Sequence, residues 1–216
     1  ALVTGAAGFI GSNLSRRLIA EGYSVVGIDN LSTGRRQNVE QLLADSDFRF
    51  VEGSIRDEQI MTDTMEGVDC VFHQAAVPSV PRSVDDPVST TEANCTGTAV
   101  LFQTARAAGV EKVVVASSSS VYGSDQELPN VESMRPAPES PYALSKYYTE
   151  QLAMQFAQLS DVETVALRYF NIFGPQQDPE GAYAAVIPKF ISRLIGGNRP
   201  EIYGDGQQSR DFTYIE

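Results

Sequence analysis

The stretch that decides the fold is Gly5-Ala6-Ala7-Gly8-Phe9-Ile10-Gly11, which joins a short apolar run to a helical pattern. Residues 2–4 predict a buried strand and residues 9–21 a helix, so the glycines lie in a strand-to-helix turn. Gly5 allows the tight turn, Gly8 lets the backbone approach a pyrophosphate, and Gly11 permits close helix packing. The helix N-terminus offers free N–H groups and a positive dipole end to phosphates. The stretch therefore predicts a dinucleotide-binding loop.

A carboxylate follows the second predicted strand, about twenty residues further on. Asp29 would accept hydrogen bonds from a ribose diol and would repel a 2′-phosphate, which favours NAD over NADP. Arg35 and Arg36 follow shortly afterwards and leave NADP open, because guanidinium groups bind phosphate.

Short apolar runs alternate with longer helical patterns along most of the chain. The predicted strands are residues 2–4, 24–28, 48–51, 70–73, 112–117 and 163–168. The predicted helices are residues 9–21, 37–43, 58–65, 87–108, 141–159 and 186–195. This alternation predicts an α/β fold, a doubly wound parallel (Rossmann) sheet with right-handed crossovers. It ends near residue 170, so we expect a dinucleotide-binding domain over 1–170 and part of a smaller C-terminal substrate domain over 171–216.

Composition narrows the class of protein. The net charge is −12 and the pI about 4.5, without the basic stripe that nucleic acid requires. The acidic excess fits either a high-salt habitat or an ordinary solvated surface. Hydrophobic residues make up 42% of the chain, but no run approaches bilayer length, so we expect a globular protein in the cytoplasm with no membrane partner. Both ends read as interrupted strands, which suggests a fragment of a longer protein.

Two further patterns carry chemistry. A serine cluster, 117–120, ends the fifth predicted strand, where parallel sheets bind ligands. Pro141 suits a helix start, and Tyr142 and Lys146 then lie on one helical face. An ammonium beside a phenol lowers the phenol pKa, which would make Tyr142 an acid or base near neutral pH. Taken alone, Tyr142 and Lys146 are better explained as an ordinary amphipathic pair, with Tyr packed and Lys solvated, and a serine-rich turn is an adequate explanation of residues 117–120.

The order of these motifs resembles the extended short-chain dehydrogenase/reductase family, and more narrowly its UDP-hexose 4-epimerase group. Residues 29–34, 73–76, 167–171 and 204–212 also resemble that group. The resemblance implies NAD as the cofactor. The cofactor-binding residues that it implies are Gly5, Gly8, Phe9, Ile10, Gly11, Asp29, Asn30, Ser54, Ile55, Ala75, Ala76, Asn94, Tyr142, Lys146 and Phe170. Ser54 is a departure, because the family usually has Asp there to recognise adenine.

The resemblance also implies a reaction. Tyr142 would take the proton of the sugar 4-hydroxyl while hydride moves to NAD, with Lys146 on the nicotinamide ribose. Ser118, with Ser120 as a second donor, would align the 4-oxygen. Related dehydratases carry an acidic pair at the positions of Ser119 and Ser120, so the lack of a carboxylate there favours C4 epimerisation through a 4-keto sugar.

The expected substrate is a UDP-sugar. Residues 78–83 and 177–189 resemble epimerases that prefer UDP-GlcNAc and UDP-GalNAc. The implied substrate-binding residues are Ser118, Tyr142, Asn171, Ala185, Val186, Lys189, Tyr203 and Arg210. UDP-glucuronate and UDP-glucose stay open as substrates, as does a catalytically silent dinucleotide-binding sensor, and Arg210 has a structural salt bridge to Asp205 or Asp211 as its alternative.

Two more expectations concern assembly and metals. The helices predicted at 87–108 and 141–159 form the dimer interface in the family, so the resemblance implies a homodimer. His73 is the only histidine and has no Cys, His or acidic partner at ligand spacing, so no metal is expected.

Overall fold

The computed structural model of the chain describes residues 1–124, 127–179 and 185–216. The chain divides into two compact units, Ala1–Tyr169 and Phe170–Glu216. Each is described separately below.

The first unit is built on one parallel sheet. Its strands are β1 (Leu2–Thr4), β2 (Val25–Asp29), β3 (Phe48–Glu52), β4 (Cys70–His73), β5 (Lys112–Ser118) and β6 (Glu163–Tyr169). Their order in the sheet is β3-β2-β1-β4-β5-β6, with all neighbouring pairs parallel. This order confirms the predicted doubly wound fold. The strand order reverses between β1 and β4, and such a reversal opens a ligand-binding crevice at the carboxyl ends of the strands.

Helices connect these strands. They are α1 (Phe9–Ala20), α2 (Gln37–Glu40), α3 (Glu58–Thr64), α4 (Val80–Asp85), α5 (Pro87–Thr91), α6 (Gly97–Ala108) and α7 (Pro141–Leu159). Short 3₁₀ segments cover Leu42–Ala44 and Ser119–Tyr122, and a π-helical turn, Glu92–Thr96, joins α5 to α6.

The helix α4 is absent from the sequence-based expectation, and the helix predicted over 87–108 is interrupted. Ser79 starts α4 by accepting a hydrogen bond from Arg82 N, and Asp86 starts α5 by accepting one from Ser89 N. Each of these short segments is therefore a separately capped helix.

Apolar side chains are buried on both faces of the sheet. Leu2, Ile28 and Phe102 belong to one cluster, and Val3 and Leu18 belong to the other. Adjacent residues of β1 thus point to opposite sides and are both fully buried. A parallel sheet covered by helices on both faces has this burial pattern, and it leaves the carboxyl ends of the strands as the place for a ligand.

The second unit contains β7 (Asn171–Phe173), α8 (Val186–Ile195) and β8 (Phe212–Tyr214), and its two strands pair in parallel. The Phe173 ring contacts the rings of Phe212 and Tyr214 at centroid distances of 6.2 Å and 5.3 Å. Across the described residues of both units, no helix has the length and apolar character needed to cross a membrane.

Candidate active site

The glycine loop between β1 and α1 is held too tightly for side chains. Gly5 has φ +69°, and a Cβ there would lie 2.8 Å from Ala75 N. A Cβ on Gly11 would lie 2.1 Å from the Gly5 carbonyl oxygen. Gly11 therefore lets α1 pack against the loop, and the contact is to the loop carbonyl and not to the strand itself.

The start of α1 is open to an anion. Gly8 is its N-cap residue, and within the described part of the chain no side chain caps this helix end. The first-turn N–H groups, including those of Phe9 and Ile10, are the groups that a helix leaves without intrahelical partners. An uncapped helix start next to a glycine loop fits a pyrophosphate.

Asp29 lies beside this loop at the end of β2 and is 8% exposed. Its Oδ2 accepts from Ala7 N at 3.0 Å, and its Oδ1 accepts from Leu31 N at 2.8 Å. Burial raises the pKa of Asp29, while the backbone hydrogen bonds from Leu31, Ala7 and Gly8 act in the opposite direction. A carboxylate has about four acceptor sites, so these backbone bonds leave room for a hydroxyl of a ribose diol.

A cleft of about 260 Å³ runs from the glycine loop past Asp29. It is lined by Gly5, Asp29, Asn30, Ser54, Ile55, Ala75, Ala76, Arg56 and Arg82, among others. The cleft thus brings together a glycine loop with no room for side chains, the uncapped start of α1 and the buried Asp29 carboxylate. These features fit a dinucleotide. Of the two arginines that kept NADP open, Arg36 pairs with Glu52 at 2.8 Å.

Two more predicted cofactor-binding residues are Ser54, which stands where the family usually has Asp, and Phe170. Ser54 lines the cleft, with its Oγ accepting from Arg56 N at 3.2 Å. Phe170 begins the second unit, so its packing near the nicotinamide stays a prediction.

Asn94 braces the loop after β4. It is 2% exposed and lies in the π-helical turn. Its Oδ1 accepts from Val77 N at 2.8 Å, and its Nδ2 donates to Val77 O at 3.3 Å and to Ser145 Oγ at 2.9 Å. Its amide thus joins the loop that lines the cleft to α7, and its predicted proximity to the nicotinamide stays a prediction.

Three predicted catalytic hydroxyls come together at the end of β5. Ser120 donates to Ser118 Oγ through its side chain at 2.9 Å and through its backbone N–H at 3.2 Å. The side chain of Ser118 lowers the pKa of Tyr142, against the effect of burial. Because Ser120 fills both acceptor sites of Ser118, the hydroxyl proton of Ser118 is left to be donated to another group, and we infer that this group is the Tyr142 oxygen. Ser120 therefore orients Ser118.

Lys146 completes this group. It is 6% exposed, and its Nζ donates to the Ala116 carbonyl at 2.9 Å and lies 6.0 Å from the centroid of the Tyr142 ring. Burial lowers the pKa of Lys146 to about 8.

The prediction that Lys146 lowers the pKa of Tyr142 is wrong for the chain in this structure. Burial raises the pKa of Tyr142, and the hydrogen bond with Ser118 only partly offsets that rise. The physical reason is that desolvation disfavours the phenolate more than the single hydroxyl donor favours it.

The sequence-based reasoning missed two residues that structure this site. Ser83, which is fully buried on α4, accepts from Tyr142 N at 3.0 Å. Gly34 packs on Asp29, since a Cβ there would lie 2.8 Å and 2.9 Å from the two carboxylate oxygens. Gly34 ends the matched stretch 29–34, so its presence there was a usable signal, whereas nothing local marks Ser83.

The predicted substrate residues of the second unit lie on three of its segments. Ala185 and Val186 begin α8, and Lys189 on that helix lies over the Tyr203 ring at 5.8 Å. Asn171 donates through Nδ2 to the Asp211 carbonyl at 2.8 Å.

Arg210 follows in the same unit. Among the described residues it forms no ion pair, and its Nη1 donates to Ser209 O at 2.7 Å. The alternative of a structural salt bridge is therefore not observed. Within the stretch 177–189 that suggested the N-acetylated sugars, residues 180–184 lie outside the described residues.

Comparison with known proteins identifies the family. The model of the NAD dependent epimerase/dehydratase family matches residues 1–216. The chain belongs to this NAD-dependent epimerase/dehydratase family. The resemblance and the cofactor prediction, NAD, are thereby confirmed.

Several known proteins are similar to the chain over nearly its whole length. A UDP-glucose 4-epimerase of Mycolicibacterium smegmatis is 42% identical over 217 residues, which cover 100% of this chain and 69% of that protein. The structure of a UDP-N-acetylglucosamine 4-epimerase from Methanobrevibacter ruminantium, in complex with UDP-N-acetylmuramic acid, matches with a TM-score of 0.94 and 41% identity over 99% of this chain and 68% of that one. A UDP-glucose 4-epimerase of Thermotoga maritima, solved with UDP-glucose, matches with a TM-score of 0.93 and 38% identity over 99% of this chain and 69% of that one.

Proposed function

We propose that the chain is an NAD-dependent epimerase that inverts C4 of a UDP-hexose, with UDP-GlcNAc and UDP-GalNAc as its preferred pair. The observation that carries this proposal is that Tyr142 lies at the carboxyl end of β5 with Lys146 Nζ 6.0 Å from its ring centroid and with Ser118 acting on its pKa. The names of the relatives, UDP-glucose and UDP-N-acetylglucosamine 4-epimerases, support the reaction class. The choice of sugar rests on the resemblance of residues 78–83 and 177–189.

Tyr142 is the proton-transfer group in this proposal. When bound, NAD would supply a reversible hydride acceptor for C4 of the sugar. Tyr142 would act as phenolate, removing the 4-hydroxyl proton in the first half of the reaction and returning it in the second. Because burial disfavours the phenolate in the chain without NAD, this form would have to arise in the NAD-loaded protein. Ser118 donates to the Tyr142 oxygen, which stabilises the phenolate, and Ser120 holds Ser118 in that orientation.

The alternative reaction in the family, dehydration, lacks its acid here. Elimination of water from the sugar needs a group that protonates the departing hydroxyl. Ser119 and Ser120 occupy the positions that carry the acidic pair in related dehydratases. A 4-keto sugar formed beside Tyr142 is therefore expected to turn over and be reduced at the other face.

The binding of the sugar nucleotide is assigned to the second unit. Lys189 and Tyr203 lie together there, and a cation beside an exposed aromatic ring suits a uridine diphosphate. We assign Tyr203 to the uracil, Arg210 to the diphosphate, and Asn171 with Ala185 and Val186 to the remaining UDP contacts. This division into an NAD-binding domain, 1–170, and the beginning of a UDP-sugar domain, 171–216, is part of the proposal.

A homodimer is also part of the proposal. Val88 on α5 and Leu144 and Tyr148 on α7 are apolar and exposed, at 66%, 58% and 38%. Leu144 and Tyr148 lie four residues apart and share one helical face. Light scattering of the purified protein tests this, with a monomer as the contrary result. The cytoplasmic location stays a prediction.

The test of function is incubation of the NAD-loaded protein with UDP-GlcNAc, UDP-glucuronate and UDP-glucose, followed by separation of the C4 epimers. We expect the fastest interconversion for UDP-GlcNAc. Fastest turnover of another sugar overturns the substrate assignment alone, and accumulation of NADH without epimers indicates an ordinary oxidoreductase. Binding of NAD without either product indicates a silent sensor.

The variant Tyr142→Phe tests the proton-transfer role of Tyr142. It should keep its affinity for NAD and lose turnover. Tyr23→Phe, at a tyrosine that is 56% exposed, is the control and should behave as the unmodified protein. Full activity of Tyr142→Phe would remove Tyr142 from its catalytic role.

A further inference from the structure

The peptide groups on both sides of Tyr142 are held by serine side chains. The Tyr142 N–H donates to Ser83 Oγ at 3.0 Å, and the Tyr142 carbonyl accepts from Ser145 Oγ at 2.7 Å. Ser145 is a neighbour on α7 itself, but Ser83 comes from α4, 59 residues earlier in the chain. The backbone of Tyr142 is therefore tied to a separate helix.

The direction of the Ser83 bond is fixed by its other contact. Ser83 donates its only proton to the Val80 carbonyl at 2.7 Å. An oxygen lone pair is then left to face the Tyr142 N–H. Because Ser83 is 0% exposed, water does not replace this acceptor if the hydroxyl is lost.

The N-terminus of α7 depends on Ser83 for one particular donor. A helix leaves its first N–H groups without intrahelical partners. Pro141 has no N–H, and Ser140 caps the Ala143 N–H at 3.1 Å. The Tyr142 N–H lies between them, and Ser83 is its acceptor.

The helix α4 also reaches the cofactor cleft. Arg82, the residue before Ser83, lines the cleft together with Ala75, Ala76 and Val77. The helix α4 thus borders the cleft through Arg82 and binds the Tyr142 N–H through Ser83.

We propose that Ser83 is a positioning residue for Tyr142, fixing the first turn of α7 so that the phenol meets Ser118. This rests on the proposed epimerase function. Loss of the hydroxyl leaves a buried N–H without an acceptor, and the helix start shifts to satisfy it. A displacement of about 1 Å at a reacting group can cost about 100-fold in rate. Asp29, which would hold the cofactor ribose, bonds to Ala7 N and Leu31 N, whereas the bonds of Ser83 go to Val80 and Tyr142.

The experiment compares Ser83→Ala with the unmodified chain in three measurements. We expect kcat for C4 epimerisation to fall about tenfold, with KM and NAD affinity changed less than twofold. We also expect faster hydrogen exchange of the Tyr142 amide, which ¹⁵N-tyrosine labelling resolves without any substrate. A kcat equal to that of the unmodified chain overturns the proposal, and so does an equal loss in kcat and NAD affinity.

The matched control is Thr104→Val, which deletes another buried hydroxyl. Thr104 is 4% exposed on α6 and, among the described residues, donates to the carbonyls of its own helix, Val100 and Leu101. It should leave kcat and the Tyr142 amide exchange unchanged, and a matching fall in kcat would reduce Ser83 to a general packing role.

A second variant and the activity of the unmodified chain complete the experiment. If Ser83→Ala does not fold, Ser83→Cys replaces it, because the thiol retains a weaker acceptor. This variant should give intermediate values of Tyr142 amide exchange and of kcat. Unchanged values of both would overturn the proposal. If the unmodified chain interconverts no sugar, the proposed function fails, whereas unchanged Tyr142 amide exchange in Ser83→Ala refutes the positioning contact itself.

Discussion

Lys146 lies beside Tyr142, with its Nζ atom 6.0 Å from the centroid of the tyrosine ring, and the same atom donates to the Ala116 carbonyl at 2.9 Å. The ammonium thus faces the aromatic ring and a backbone acceptor inside the protein. Burial acts on both side chains in the same sense, since it disfavours the charged form of each.

The first prediction is that Lys146 titrates at about pH 8 in the chain without cofactor, because burial lowers its pKa to about 8. The chain has three lysines, and the pKa of Lys112 is raised by its hydrogen bond to Glu163, so ¹³C-lysine NMR separates the two. The Lys146→Met variant assigns the signal. A Lys146 titration near 10.5, the ordinary value, would contradict the burial effect.

The same shift sets a pH dependence of stability. The folded-state pKa of Lys146 lies below the unfolded value of 10.5, so the unfolded chain binds the extra proton between about pH 8 and 10.5. The contribution of Lys146 to stability should therefore rise with pH through this window and be smallest below about pH 8. Urea unfolding at both ends of the window should show this rise in the unmodified chain and not in Lys146→Met.

The second prediction concerns the only histidine. His73 is 3% exposed, and its pKa is lowered to about 3 by burial and, secondarily, by the charge of Lys146. Its ring should stay neutral from pH 5 to pH 8, and its single Cε1–H signal should not shift there. In urea the same signal should titrate near 6.5, which is the control.

The hydrogen bonds of His73 also specify its tautomer. Thr98 donates to the Asn94 carbonyl, so its oxygen accepts from His73 Nε2 at 2.9 Å. Thr4 accepts from Ala75 N at 3.1 Å and donates to His73 Nδ1 at 2.7 Å. The proton therefore lies on Nε2, and ¹⁵N chemical shifts typical of the Nδ1–H form would refute this assignment.

Acid stability follows from the same pKa. The folded value of about 3 lies below the unfolded value of 6.5, so His73 makes stability fall as the pH drops from 6.5 through 3. His73→Gln should flatten this part of the acid-unfolding curve. Equal slopes for the two proteins would contradict it.

The third prediction is that Gly34→Ala weakens NAD binding about tenfold, the order expected when one hydrogen bond to a charged group is lost. A Cβ at residue 34 would lie 2.8 Å from Asp29 Oδ2 and would displace the carboxylate. Gly196→Ala is the control, because its Cβ would meet its nearest atoms only at 3.4 Å and its φ is −74°. Calorimetry with NAD measures both variants, and equal affinities would refute the role of Gly34.

The fourth prediction concerns a buried ion pair behind the serine cluster. Glu150 accepts from Arg168 Nε and Nη2, both at 2.8 Å, and also from Ser117. The two charged side chains are only 7% and 15% exposed. Glu150→Gln leaves the guanidinium uncompensated and should cost about 3 kcal/mol of unfolding free energy.

Glu163→Gln is the matched control for this pair. Glu163 binds Lys112 at 2.8 Å on the surface, where solvent screens the interaction, so little change is expected. Urea unfolding of the two variants compares them directly. Equal stability losses would show that burial does not set the strength of the Glu150 pair.

The sequence by itself determined the sheet, the glycine loop and the Tyr142–Lys146 spacing, because these depend on local periodicity and on contacts within a few residues. The alternation of helices and strands predicted a doubly wound sheet, whereas the order of its strands comes from the structure. Even the 19-residue helix α7 begins and ends where its pattern predicts, since Pro141 and the Ser140 cap are local signals.

Only the tertiary structure decided the direction of the Tyr142 pKa shift and which residues fix the backbone of Tyr142. The direction of the Tyr142 pKa shift depends on burial, which spacing along a helix does not reveal. The bond from Tyr142 to Ser83 spans 59 residues, and that from Asn94 to Ser145 spans 51. Hydrogen bonds over such separations exist only because packing brings distant elements together and excludes the water that would otherwise satisfy them.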